Sequence, residues 1–336
     1  MMQNIQIFST CPASNYSDPD KYLQQVVDVA RWSERAGCCG ILVYTDNGLV
    51  DPWLVSQIII QNTKKISPLV AVQPVYMHPN TVAKMVSTLG FLYGRRVSLN
   101  MVAGGFRNDL IAMGDETPHD DRYSRLVEYT QIIQGLLQLR GGLSFEGDYY
   151  NVKNLKMLPP LPEELIPEFT ISGSSDAGFE AARATGATAI KYPKPPGEEV
   201  GPGAEDAVNC GVRIGIIARN DADSAWAEAH RRFPVDRKGQ LAHQLAMKVS
   251  DSHWHQQLSE RGSAANDTQN PYWLIPFQNY KTFCPYLVGS YDSVAEEVAF
   301  YLRLGYRTFV LDIPPEEQEL EHIGVVFRMA LERELR

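Results

Sequence analysis

The chain has 336 residues, with 31 Lys+Arg against 40 Asp+Glu, a net charge of −9 and 44% hydrophobic residues. That length and apolar fraction supply a real core, either as two ordinary domains or as one barrel of alternating strands and helices. The acidic balance excludes nucleic acid as the main partner, although local basic groups can still hold one small anion.

Short β-rich runs alternate with helical ones from the start. Ile5–Ser9 reads as a strand, and Lys21–Ala36 carries apolar residues at helical spacing up to Gly37. Gly40–Thr45, Pro68–Gln73 and Val97–Ala103 are three more strands, with helices over Pro52–Asn62 and Thr81–Tyr93 between them. A long amphipathic helix, Asp121–Leu139, precedes a hairpin over Ser144–Val152 with its turn at Gly147. Phe169–Ser172, Ala187–Tyr192, Val212–Ala218 and Arg307–Leu311 complete eight strands. Helices follow them at Asp176–Thr185, Asp221–Phe233, Ser293–Leu304 and Pro315–Leu335.

The pattern predicts an α/β fold, a (β/α)8 TIM barrel forming a single domain over residues 1–336, with a doubly wound open sheet as the alternative. Two insertions, about 193–210 and 237–282, break the rhythm. In a barrel they fall at the C-terminal mouth, where a long insertion reads either as a lid or as packing. The second contains the polar stretch Gly262–Asn270.

No basic, apolar leader opens the chain, and no window nears the ~20 apolar residues of a membrane span. Cys11, Cys38, Cys39, Cys210 and Cys284 show no CxxC spacing, which argues for reduced, mostly buried thiols. A soluble cytoplasmic protein is expected, with no membrane or nucleic-acid partner.

Ser172–Asp176 (SGSSD) is the clearest local signal. It follows a strand and opens a helix, so backbone N–H groups, hydroxyls and a close-approach glycine make a phosphate cradle; a plain helix cap is the competing reading. Asn100, polar inside an apolar strand, either faces a ligand or is a satisfied core amide. Asp120 or Asp121 reads as the N-cap of the long helix, which leaves Arg122 and Tyr123 in its first turn. No GxGxxG follows the first strand, and no GxxxxGK[ST] or GxSxG occurs. The histidines, including His230, His243, His253 and His255, form no metal-ligand pattern, so no metal site is expected.

In order and spacing, Tyr44–Ser56 (YTDNGLVDPWLVS), Asn100–Gly105 (NMVAGG), His119–Ile133, Phe145–Val152 (FEGDYYNV) and SGSSD resemble the bacterial luciferase-like flavin monooxygenases. Within them the chain is most similar to the alkanesulfonate monooxygenase branch, and the match continues through Gly211–Arg219, Asp221–Ala229 and Leu287–Leu311. The resemblance implies a barrel that binds FMN, as FMNH2, at its C-terminal mouth. A separate NAD(P)H-dependent flavin reductase supplies the FMNH2. Oxygen is the co-substrate, and a flavin C4a-(hydro)peroxide oxygenates a small organic or natural-product intermediate, free or carrier-bound. It further implies a homo-oligomer, dimer or tetramer.

Carried over by position, Ser174 and Ser175, with Gly173, hold the FMN phosphate, and Ser172 is a further cofactor-binding residue. Tyr123 lies near the phosphate and ribityl chain, while Asn100 and Thr45 face the flavin. Gln73 stands where the family often has Arg. Arg213 is retained in its strand, and a mobile-loop Arg aligns at Tyr280, with Lys281 next to it, so these three are the catalytic candidates.

The departures concern the substrate. Gly215 replaces a His of the alkanesulfonate branch, Leu49 a Cys, Pro12 a His, and the Tyr after the last strand is missing from Val310–Gln318. A sulfonate site cannot lose such donors without large cost. Alkanesulfonate oxygenation proper and F420-dependent hydride transfer on the same barrel are the alternatives.

Overall fold

A computed structural model describes residues 5–195, 197–201, 208–247 and 270–334. Its elements run β1 (Gln6–Thr10), α1 (Pro19–Arg35), β2 (Gly40–Val43), α2 (Pro52–Asn62), β3 (Ser67–Val72), α3 (Pro79–Tyr93) and β4 (Ser98–Val102). Next come α4 (Arg107–Ala112), α5 (His119–Gln138), the hairpin β5 (Leu143–Glu146) and β6 (Asn151–Leu155), β7 (Phe169–Ser172), α6 (Asp176–Thr185) and β8 (Thr188–Lys191). The chain then forms β9 (Cys210–Arg219), α7 (Ala222–Arg232), α8 (Arg237–Met247), β10 (Tyr272–Trp273) and α9 (Ile275–Gln278). It closes with β11 (Tyr286–Ser290), α10 (Tyr291–Arg303), β12 (Thr308–Leu311) and α11 (Glu317–Glu334).

The first three long helices start by the same device. Asp18, Asp51 and His78 each accept a hydrogen bond from a backbone N–H two residues on, and a proline follows each of them at the first helical position. Proline suits that position because its fixed φ fits the helix and its missing N–H would have had no partner.

Eight parallel strands close on themselves in the order β1-β2-β3-β4-β7-β8-β9-β12. The return pairing of β12 with β1, Gln6 opposite Thr308, seals the ring and overturns the open-sheet alternative. These are the eight strands expected from sequence, because a parallel strand covered on both faces is a near-continuous apolar run. β3 is buried from Pro68 to Val72, and all four residues of β2 are buried. Cys11, Cys210 and Cys284 are buried free thiols.

Three features differ from expectation. β9 is ten residues long and forks: Gly211–Ile214 pair with β12 inside the barrel, while Gly215–Arg219 pair with β11 outside it. The short α4 follows β4 directly. The N-cap of α5 is Pro118 with no side-chain cap, so Asp120 and Asp121 lie in the first turn, where they favour the helix dipole instead of capping it.

Gly147 does mark the hairpin turn. A Cβ there would fall 2.4 Å from the Glu128 carboxylate, which accepts the N–H groups of Asp148, Tyr149 and Tyr150. Among the described residues, no helix is long and apolar enough to cross a membrane.

Candidate active site

The C-terminal ends of the strands surround a cavity of about 220 Å3 bordered by Thr45, Gln73, Asn100, Ser172 and Arg213. Five of the expected site residues, from five different strands or strand ends, are thus brought together, as a barrel mouth does. A second cavity of about 240 Å3 shares Thr45 and Gln73 with it.

Parallel register explains Asn100. It lies opposite Thr170 on β7, and its Oδ1 accepts from Thr170 Oγ1 at 2.8 Å and Ser172 Oγ at 2.9 Å. The amide oxygen is thus occupied, whereas the amide nitrogen has no protein partner among the described residues. The amide is thus held in the wall through its oxygen, and its nitrogen is left to donate.

The turn from β7 to α6 is built for close approach. A Cβ on Gly173 would fall 2.4 Å from the Tyr123 hydroxyl, so only glycine fits against this tyrosine. Burial raises the Tyr123 pKa, against the effects of its hydrogen bond to Ser175 and the Arg122 charge. Ser175 is the N-cap of α6 and accepts from Gly178 N–H at 3.2 Å. Ser174 differs: its Oγ is buried without a hydrogen-bond partner. A buried hydroxyl left unpaired costs stability unless a ligand satisfies it. With the positive end of the α6 dipole beside it, that hydroxyl suits a phosphate. The residues present therefore fit the FMN phosphate. Ser175 serves as the cap and Ser174 remains available.

Arg213 is 8% exposed, and neither its Nε nor its Nη2 has a partner. Its guanidinium stacks 4.8 Å from the Tyr44 ring centre and 6.0 Å from that of Tyr192. These cation–π contacts compensate part of the lost hydration. Asp312, at the end of β12, is occupied elsewhere: it accepts from the Tyr286 hydroxyl at 2.7 Å.

The same tyrosine explains Gly215. A Cβ at Gly215 would lie 2.3–2.5 Å from the Tyr286 ring, so this ring fills the space a side chain at position 215 would need.

Tyr280 and Lys281 stand apart from Arg213. They border a different cavity, about 570 Å3, against α1 and Ile313–Pro315. Lys281 is half exposed and pairs with Asp236 at 2.9 Å, and Tyr280 adopts a left-handed φ of 55°. The link between the two cavities is aromatic: Phe283 meets the Tyr44 ring at 6.5 Å and the Tyr280 ring at 6.1 Å. Residues 262–269 of the expected lid, with His253 and His255, lie outside the described residues. His230 packs on Trp226 and Trp273, and His243 on Phe277. No group of potential metal ligands occurs among the described residues.

Sequence reasoning missed Tyr44, Tyr192 and Phe283 as walls of the mouth. It also missed Asp46 and Asp109, two carboxylates bordering the same cavity. For Tyr44 and Tyr192 the available signal was their position at a strand's C-terminal end.

A family model described as luciferase-like monooxygenase matches residues 3–308. The chain is 33% identical over 335 residues, 97% of each protein, to BtrO of Niallia circulans. That relative is named as the monooxygenase of 4-(gamma-L-glutamylamino)butanoyl-BtrI acyl-carrier protein. Among solved structures, long-chain alkane monooxygenase LadA aligns with TM-score 0.72 and 17% identity over 99% of this chain and 91% of that one. EDTA monooxygenase EmoA from Chelativorans sp. BNC1 aligns with TM-score 0.71 and 14% identity over 97% and 93%. An F420-dependent secondary alcohol dehydrogenase shares the fold at TM-score 0.66 and 16% identity, over 98% and 99%. The chain belongs to the luciferase-like monooxygenase family and is an enzyme of that flavin-dependent class.

Proposed function

We propose that the chain is the oxygenase of a two-component system: it takes FMNH2 from a separate NAD(P)H-dependent reductase and oxygenates an acyl intermediate carried on a carrier protein. The observation that carries the cofactor is the unpartnered Ser174 hydroxyl at the α6 N-terminus, a short step along the chain from the mouth residue Ser172. The carrier-bound substrate is supported by the full-length relative named for one.

When bound, reduced FMN supplies the electrons that activate O2 for transfer of one oxygen atom. The chain's residues do the rest. Ser174 and the first N–H groups of α6 hold the phosphate, with Gly173 allowing its approach and Tyr123 closing the far side. Asn100, its oxygen held by two hydroxyls, offers N–H donors into the mouth. Leu42, Leu49, Val102 and Phe283 give the chamber apolar walls, which exclude water from the reacting centre. Arg213 holds negative charge there, on the substrate or developing during transfer. Tyr280 and Lys281 act at the neighbouring cavity, on the approach to the chamber. An ordinary alkanesulfonate is disfavoured, because the Tyr286 ring occupies the space where that branch has its His.

The test is turnover with a flavin reductase, NADH and 18O2 on acyl-carrier-protein thioesters. One 18O atom in the acyl group is expected. F420H2-driven reduction of a substrate without oxygen uptake would instead place the chain in the hydride-transfer branch.

A further inference from the structure

The chamber that Arg213 enters also holds charge of the opposite sign. Asp46 follows β2 by three residues and Asp109 lies in α4, and both border the 220 Å3 cavity. Neither carboxylate has a cationic partner among the described residues. Among the described residues, the Asp46 carboxylate accepts one backbone N–H, that of Gly48 at 2.7 Å, and the Asp109 carboxylate accepts none.

The two are held as neighbours by Asn47. Its Nδ2 donates to the Asp109 carbonyl at 3.1 Å, and its Oδ1 accepts from Tyr76 at 2.6 Å. Both carboxylates act on one group, helping burial push the Tyr76 phenol up to about 12, and burial, with the Asp46 charge beside it, raises the Asp109 pKa. Two like charges held together without a counterion favour a cation between them. Arg213, more than nine-tenths buried and with Nε and Nη2 unpartnered, favours an anion.

A ligand of a single sign gains at one group and is repelled at the other. A ligand that carries both signs gains at each. Building on the reading of the mouth as the substrate chamber, we infer that the substrate's acyl group ends in a zwitterionic amino-acid head, its carboxylate paired with Arg213 and its ammonium with Asp46 and Asp109. These three residues then set substrate specificity, and the carrier attachment lies at the opposite, outward end of the acyl chain.

The probe is γ-L-glutamyl butylamide, which has a free α-ammonium and α-carboxylate. It is compared with its α-methyl ester, lacking the carboxylate charge, and its Nα-acetyl derivative, lacking the ammonium. Each is titrated calorimetrically into the full chain saturated with oxidised FMN, so that no turnover occurs.

In the wild type, loss of either charge should weaken binding about tenfold or more. Arg213→Gln should bind the zwitterion and the ester alike while still rejecting the acetyl derivative. Asp109→Asn, alone and with Asp46→Asn, should do the reverse. These conservative variants are checked by thermal unfolding, and the aspartate pair tests the proposal even where Arg213→Gln fails to fold. Equal binding of all three probes, no binding at all, or an unchanged order of preference in the variants overturns the proposal. Failure of the wild type to bind FMNH2 in an anaerobic titration, made before any probe is added, would contradict the FMN-dependent reading itself.

Discussion

Two sets of buried polar atoms, the Ser174 hydroxyl beside the mouth and Nε and Nη2 of Arg213 within it, lack hydrogen-bond partners. Each costs stability while unpaired and gains when a ligand group pairs with it. The SGSSD segment showed that hydroxyls, a glycine and a helix start coincide, but not which serine caps the helix. That division depends on the turn geometry that puts Ser175 onto Gly178 N–H. Gly173 was legible as a close-approach glycine, but its contact with Tyr123 was hidden, since that tyrosine is fifty residues away in sequence. The clash of a Cβ with the Tyr123 hydroxyl makes a paired prediction. Gly173→Ala should weaken FMN binding by about tenfold or more, and adding Tyr123→Phe, which removes the nearest clashing atom, should restore part of it. Equilibrium FMN titration of the two variants checks this. No gain on adding Tyr123→Phe would mean that Gly173 matters for another reason.

At the scale of elements, what the sequence made legible follows from what the barrel needs. Eight apolar strands and the eight long helices between them are period signals, and each appears within a few residues of its expected place. β11 was not legible, because Tyr286–Ser290 runs straight into α10 and its pairing partner is the part of β9 that leaves the barrel. Ion pairs that join elements were equally invisible.

Glu319 on α11 is one of these. Its side chain is 2% exposed, and it binds Arg219 at the end of β9 and Arg232 at the end of α7, the latter at 3.1 Å. Glu319→Gln leaves two largely buried guanidinium groups with a neutral partner, so it should cost about 3 kcal/mol in denaturant unfolding. A cost near zero would show that solvent already compensates the charges.

Asp115 is a second such contact. It pairs with Arg125 at 2.6 Å, accepts from Thr117, and braces the start of α5, where Tyr123 sits. Although burial opposes it, hydrogen bonds from Arg125 and Thr117 and the Arg125 charge lower its pKa from 3.8 to about 2. A depressed folded-state pKa gives stability that is fully present above the unfolded value near 4 and is lost as pH falls toward about 2. Asp115→Asn should therefore lower stability by about 2 kcal/mol at pH 7 and by little at pH 2. A loss that stays constant across that window would rule out this electrostatic account.

For the whole molecule, the barrel positions chemistry that no single segment contains. Thr45, Gln73, Asn100, Ser172 and Arg213 span nearly 170 residues of chain and meet at one mouth. The sequence pointed to these residues by position and by resemblance, and topology brought them together. Tyr280 and Lys281 were also candidates by alignment, but they border the neighbouring cavity on the side of α1. The two aspartates that share the chamber with Arg213 were missed because YTDNG reads locally as a turn, and only the contact of Asn47 with Asp109 on α4 joins that turn to the chamber wall.

The central claim is that this mouth seats reduced FMN with its phosphate on Ser174 and the α6 N-terminus. The most direct measurement is anaerobic titration of the purified protein with FMNH2 and with reduced riboflavin, which lacks the phosphate, repeated on Ser174→Ala. The account predicts that FMNH2 binds about a hundredfold more tightly than reduced riboflavin, and that Ser174→Ala loses about tenfold for FMNH2 while leaving riboflavin unchanged. Equal affinity for the two flavins, or a Ser174→Ala variant that binds FMNH2 as the wild type does, would contradict it.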